Sequence, residues 1–207
     1  YIGEDAVAFE RLGLIGHDSV LKANGHDIRV KTICSGIGKV NATAAATLLA
    51  EGCDLLINAG LSGGFGETQK YDIVLGTEFI EHDFDLTAIG EEDGLVYPCD
   101  EELARRLYGC ALSVLPEDRV SLGRIATGDR FVGDSDTASR IRDHYASLAC
   151  EMEGGAIGHV CYVNDTPFAI LRAISDGGDE AAQMDYPTFA RMAAANSVRV
   201  LVTLLTH

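Results

Sequence analysis

Asp54-Leu55-Leu56-Ile57-Asn58-Ala59, running into Gly60-Leu61-Ser62-Gly63-Gly64, is the stretch on which the fold turns. A short, nearly continuous apolar run of this kind marks a strand covered on both faces. The glycines behind it read as the turn that ends that strand. Working outward toward the N-terminus, Lys39 to Ala50 is rich in Ala and Leu and reads as a helix. Val20-Leu21-Lys22-Ala23-Asn24-Gly25-His26-Asp27-Ile28-Arg29-Val30 reads as a hairpin with Asn24-Gly25 as its tight turn. In the other direction, Tyr71 to Thr87, Val120 to Thr127 and Pro167 to Ile174 supply strands, and Glu153 to Tyr162 and Pro187 to Leu205 supply helices. Strands alternating with helices call for a central sheet covered on both sides, so the expected class is α/β.

The 207 residues make one domain the expectation, 1–207, and a hydrophobic share of 47% is ample for its core. With 16 basic and 32 acidic side chains the formal charge is −16, which leaves no basic face for nucleic acid. There is no run of about eighteen apolar residues, the length that crosses a membrane, and no signal peptide is expected. The chain opens at Tyr1 without a methionine, and Tyr1-Ile2-Gly3 reads as the tail of a strand, so the natural beginning is expected to be missing. Cysteines at 34, 53, 99, 110, 150 and 161 form no CxxC and read as small buried hydrophobes of a reducing cytoplasm. The six histidines form no HxxxH or HxH pair, so neither a metal nor a cofactor is expected. Glu91-Glu92-Asp93 and Glu101-Glu102 carry much of the acidic excess and read as solvated surface.

Chemistry in such a fold gathers where strands end and helices begin. Ser35-Gly36-Ile37-Gly38-Lys39 lacks the third glycine of a dinucleotide fingerprint and does not complete a phosphate-binding loop. It is either a simple tight turn or a point of close backbone approach. Gly60 to Gly64 offers backbone N–H groups to a ligand, or else is a strained turn. In Cys150-Glu151-Met152-Glu153-Gly154-Gly155-Ala156 the two carboxylates either complement a helix dipole or, if extended, share one face. Arg172, inside the apolar run Phe168 to Ile174, needs a buried carboxylate, and Glu153 or Glu151 can supply it. Asp176 stands at that strand's carboxyl end before two glycines, as a turn residue or as chemistry. No GxSxG elbow supports a serine nucleophile.

Taken in order, these segments resemble the nucleoside phosphorylase superfamily, and within it the 5′-methylthioadenosine/S-adenosylhomocysteine nucleosidases. The likeness runs through Ser35-Gly36-Ile37-Gly38-Lys39-Val40-Asn41-Ala42, Asn58-Ala59-Gly60-Leu61-Ser62-Gly63-Gly64 and His82-Asp83-Phe84-Asp85-Leu86-Thr87-Ala88-Ile89-Gly90. It continues through Thr127-Gly128-Asp129-Arg130-Phe131-Val132, Glu151-Met152-Glu153 and Arg172-Ala173-Ile174-Ser175-Asp176. The resemblance implies a single-domain three-layer α/β/α sandwich around a central mixed β-sheet. It also implies an N-ribohydrolase that releases adenine from an adenine nucleoside of methionine salvage, in a cytoplasmic homodimer, with no cofactor.

By the same resemblance Asp176, helped by Ser175, is the general acid at adenine N7. Phe131 stacks on adenine and the Val132 backbone bonds the base edge. Glu153 holds the ribose hydroxyls and offsets the ribosyl cation. Met152, Gly63 and Tyr186 line the sugar, and Arg172 orients Glu153 and the attacking water. The loop near Leu86, Ile89 and Pro98 reaches toward the partner's site. Two departures stand out. Val7, or Ala6 one step earlier, occupies the place of the family's water-activating glutamate, with Glu4 and Asp5 the nearest carboxylates. Leu61 stands where the hydrolases usually carry a serine. A catalytically weak or inactive adenine-nucleoside-binding homologue is therefore the alternative expectation, and a purine nucleoside phosphorylase a further one.

Overall fold

The computed structural model describes residues 15–23 and 25–206, and the side chains of all of these but Ile15, Gln183, Met184, Tyr186 and Pro187. Strands β1 (Ile15–Ala23) and β2 (His26–Cys34) form an antiparallel hairpin that is longer at both ends than the sequence pattern suggested. Gly25 turns it at φ 79°, a conformation that only glycine takes without steric cost; Asn24 lies outside the described residues.

Helix α1 (Lys39–Ala50) follows, then β3 (Leu56–Gly64), β4 (Ile73–Asp85) and β5 (Asp93–Pro98). After α2 (Glu101–Val114) come β6 (Val120–Thr127), α3 (Ser135–Tyr145) and the short β7 (Ala149–Glu151). The chain closes with α4 (Gly154–Val163), β8 (Phe168–Asp176) and α5 (Ala182–Thr206). The main sheet has the order β5-β4-β6-β7-β3-β8, and β4 also pairs with β8, so the sheet curls back on itself. Pairing is parallel for β3 with β8 and for β4 with β6, and antiparallel for β4 with β5. The sheet is mixed and the class α/β, as the resemblance implied.

Two apolar layers clamp it. On one face α1 and α4 bring Ala42, Ala46, Ile157 and Cys161 against Phe79, Phe168 and Ile170. On the other, α2 and α5 bring Leu103, Leu107, Ala193 and Val200 against Ile73, Leu75 and Leu171. Each such fully buried aliphatic side chain is worth about 1.5–3 kcal/mol. Ala138 and Ile141 of α3 close a third cluster over Phe65, Val132 and Cys150, which seats α3 beside the ends of β6 and β7.

The glycines after Ala59 do not end their strand. β3 continues through Gly64 and pairs with β8 from Leu56↔Phe168 to Gly63↔Asp176, with a bulge between Ser62 and Gly63. Glycine is required there because β8 fills the space: a Cβ on Gly60 would collide with the Arg172 guanidinium. Cys99, Cys150 and Cys161 are buried as expected, whereas Cys53 and Cys110 are half-buried and Cys34 is exposed; all six are free. Among the described residues no helix is long and apolar enough to cross a membrane.

Candidate active site

The carboxyl ends of β3, β7 and β8 meet at the head of one cavity of about 570 Å³. Gly63, Phe131, Val132, Met152, Glu153, Arg172, Ser175 and Asp176 all line it, so the structure brings together eight of the nine residues singled out in the sequence. Tyr186 lies in α5, and its side chain is outside the description. Glu4, Asp5, Ala6 and Val7 also lie outside the described residues.

Asp176 is 3% exposed. Its Oδ2 accepts from the Ser175 hydroxyl at 2.8 Å and its Oδ1 from the Gly178 N–H at 3.0 Å. Gly63 and the positive φ of Gly178 (63°) allow this, for a Cβ on Gly63 would stand 2.9 Å from Asp176 Oδ1. Burial pushes the Asp176 carboxyl above the usual aspartate range, and the nearby Asp185 and Asp179 push the same way, outweighing the two donated hydrogen bonds. The other buried carboxylates are Asp72, Glu81 and Glu151, and they pair with Arg119, Lys39 and Arg172 respectively. Among the described residues Asp176 makes no ion pair. An unpaired carboxyl in such a place favours keeping its proton.

Arg172, 2% exposed, is the cation inside the apolar strand. Of the two carboxylates that the sequence offered it, the structure supplies Glu151: Arg172 Nη2 donates to Glu151 Oε2 and to Asn58 Oδ1. Glu151 is saturated further by Thr127 Oγ1 and by the N–H groups of Glu153 (3.0 Å) and Gly154 (2.8 Å). It therefore ties β6, β8 and the start of α4 together. Arg172 is bonded to Glu151 and not to Glu153, so its influence on Glu153 is electrostatic.

Glu153 caps the N-terminal end of α4 by position, yet its side chain makes no capping bond. It turns instead to the loop before α1, where its Oε1 accepts from the Gly38 N–H at 2.9 Å. Burial, then the neighbouring Glu151, push its carboxyl upward, while Arg172 and the Gly38 bond pull it down; the net direction is up. The loop Ser35 to Lys39 is thus a point of close backbone approach: Gly38 sits at φ 92°, open to glycine alone. Of the two base-side residues lining the cavity, Phe131 is 44% exposed, and Val132, 8% exposed, is packed with Phe65, Ala138 and Ile141.

Asn58 and Thr127 were assigned no role by sequence reasoning, which offered Glu151 only as one of two carboxylates for Arg172. The available signal was the polarity of Asn58 and Arg172 inside two apolar strands, where buried polar groups must find one another. Leu61 packs against the cluster under α2 and α5 and is also among the residues lining the cavity. The Ser62 hydroxyl beside it is buried, with no hydrogen-bond partner among the described residues.

Comparison with known proteins adds an independent line. The family model described as the phosphorylase superfamily matches residues 21–206. A 5′-methylthioadenosine/S-adenosylhomocysteine nucleosidase of an Exiguobacterium species is 37% identical over 187 residues, spanning 86% of this chain and 80% of that protein. The crystal structure of a nucleosidase of the same name from Neisseria meningitidis, in complex with methylthio-immucillin-A, superposes with TM-score 0.83 at 32% identity over 98% of this chain and 95% of that one. An S-adenosylhomocysteine nucleosidase from Streptococcus pyogenes, in complex with 5-methylthiotubericidin, gives TM-score 0.84 at 26% identity over 98% and 92%.

Proposed function

Because the chain belongs to the phosphorylase superfamily, in its 5′-methylthioadenosine/S-adenosylhomocysteine nucleosidase family, we propose that it is a purine nucleoside N-ribohydrolase that releases adenine from those two thionucleosides. One observation carries the roles: Asp176 is buried, raised and unpaired, at the head of the cavity that Glu153 also lines.

Cleaving the glycosidic bond develops positive charge on the ribosyl ring and negative charge on the departing adenine. A protonated Asp176 relieves the second by giving its proton to the purine N7. Its environment suits both halves of that step. Burial favours the protonated acid beforehand, and the Ser175 hydroxyl and Gly178 N–H receive the carboxylate left behind. Glu153, anchored through one oxygen by Gly38, keeps its other oxygen for the ribose hydroxyls, and its charge favours the ribosyl cation. Phe131 and Val132 take the base, with Met152 and Gly63 against the sugar. Arg172 holds the framework through Glu151.

Water activation is assigned to no side chain, since the positions around Val7 lie outside the described residues. The proposal extends to a cytoplasmic homodimer serving methionine salvage, whose dimeric state light scattering on the purified protein measures. The deciding assay is adenine release from methylthioadenosine and adenosylhomocysteine, with and without phosphate. Release in phosphate-free buffer is expected. A strict phosphate requirement would make the protein a phosphorylase, and tight binding without release would make it an inactive nucleoside-binding homologue.

A further inference from the structure

Two loops that reach the cavity from distant parts of the chain are tied to each other outside it. The backbone N–H of Lys39 donates to Asp129 Oδ1 at 2.8 Å. The backbone N–H of Asp129 donates to Asp83 Oδ2 at 2.8 Å. Asp83 Oδ1 in turn accepts from Lys39 Nζ at 2.7 Å, which closes a ring of three residues. Lys39 Nζ also reaches the buried Glu81 at 3.1 Å, so the ring is anchored in the sheet at the end of β4.

What the ring joins matters more than its own strength. One residue before Lys39, Gly38 holds Glu153 Oε1. Two and three residues after Asp129 stand Phe131 and Val132. One side of the ring thus carries the group assigned to ribose, and the other carries the groups assigned to the base. An exposed lysine–carboxylate pair contributes little by itself. Here, however, the Lys39 side chain is 17% exposed and the Asp83 side chain 31%, and both partners are also held by backbone bonds. Burial opposes the charge on Lys39, but Asp83 and Glu81 outweigh it and hold the ammonium above its usual range. The ring persists as an ion pair at neutral pH.

We infer that Lys39, Asp83 and Asp129 form a positioning device that fixes the spacing between the base-holding and the ribose-holding parts of the cavity. None of the three touches the reacting atoms. Their effect is expressed through Gly38 on Glu153 and through the 129–132 loop on the base. The identity of the two parts rests on the proposed nucleoside reading; the ring itself does not.

Lys39→Met and Asp83→Asn test it, with Lys39→Arg as the charge-preserving control. Two measurements separate the ring from the functional reading. Amide hydrogen exchange of the free protein follows Gly38 and Asp129, and both amides are expected to exchange at least about tenfold faster in the two disruptive variants. Calorimetry then compares adenine, which fills one part, with a non-hydrolysable methylthioadenosine analogue, which spans both. Adenine affinity is expected to stay within about twofold, while the analogue loses between about 10- and 100-fold, with Lys39→Arg retaining most of it. A general loosening of the fold would weaken both ligands together, and that result would overturn the inference. Unchanged exchange at Gly38 and Asp129 would overturn it as well. A wild-type protein that binds neither ligand would sink the nucleoside reading, and the exchange data would still decide the ring.

Discussion

Replacing Glu151 with Gln removes one charge and no volume, and the structure sets what that change costs. Arg172 is 2% exposed, so solvent has little access to replace the lost carboxylate. In the variant the guanidinium keeps neutral amide oxygens, that of Asn58 and the one the substitution introduces, but no counter-charge. Breaking a buried pair from one side costs about 3–5 kcal/mol, because a naked charge stays behind. For a chain of this size that lowers the thermal midpoint by roughly 6–20 °C. The reverse change, Arg172→Met, is expected to cost less. It leaves Glu151 with the Thr127 hydroxyl and the N–H groups of Glu153 and Gly154, donors enough to hold an anion. The double variant should recover part of the loss of Glu151→Gln, giving a coupling of at least about 1 kcal/mol. Denaturant melts of the four proteins make the comparison. The reasoning is refuted if Glu151→Gln lies within about 1 kcal/mol of wild type, or if Arg172→Met proves the more damaging of the two.

Further outcomes follow from the same geometry. Asp176→Asn is expected to cut adenine release by about 10²–10⁴-fold while changing analogue affinity little, and full activity in single-turnover assays would end its role as acid. Because burial raises the Asp176 carboxyl, wild-type turnover should fall as pH rises through that raised value, and Asn should abolish this limb of the profile. The folded protein also binds that proton more tightly than the unfolded chain does. Stability from this group is thus complete below the ordinary aspartate range and is lost as pH rises through the folded value, so Asp176→Asn should melt higher than wild type at pH 7–8 and not at pH 3. Gly38→Ala forces a side chain to φ 92° and sets a Cβ 3.2 Å from Asp129 Oδ1. A loss of about 1–3 kcal/mol in melts, with a raised KM for nucleoside, is the expected result.

The sequence was most legible where a single local rule governs. Lys39 to Ala50 and Val120 to Thr127 were read with their observed ends, since composition and apolar continuity sufficed. The charged helices α2 and α3 were missed, although Asp100 and Asp134 cap them in the ordinary way. α3 carries only Ala138, Ile141 and Tyr145 as apolar residues among polar and charged neighbours, whereas Leu103, Ala104, Leu107 and Ala111 of α2 do follow the helical spacing. Gly60 to Gly64 misled for the opposite reason: locally they are turn residues, and it is remote neighbours (Arg172 at Gly60, Asp176 at Gly63, Thr68 and Ile174 at Gly64) that make glycine the strand-forming choice. The partner of Arg172 was undecidable from spacing because Glu151 and Glu153 are two residues apart. The end of β7 decides it by pointing Glu151 inward, while Glu153 turns toward Gly38.

Asn58 and Arg172 are 114 positions apart, and they hydrogen-bond diagonally across paired parallel strands. That separation bears on the order in which the molecule is assembled. Contacts between remote segments are the slow ones to form, for the intervening chain must be gathered before they contribute anything. Until β8 has been synthesised, β3 has no strand on that flank and Glu151 has no cation. A nascent chain that stops before β8, however well its own helices form, contains neither the acid nor the arginine. A nascent polypeptide that stalls before Phe168 carries a glycine-rich open edge of the kind that invites pairing with other chains. Acquisition of nucleoside binding during synthesis would therefore report completion of the sheet itself.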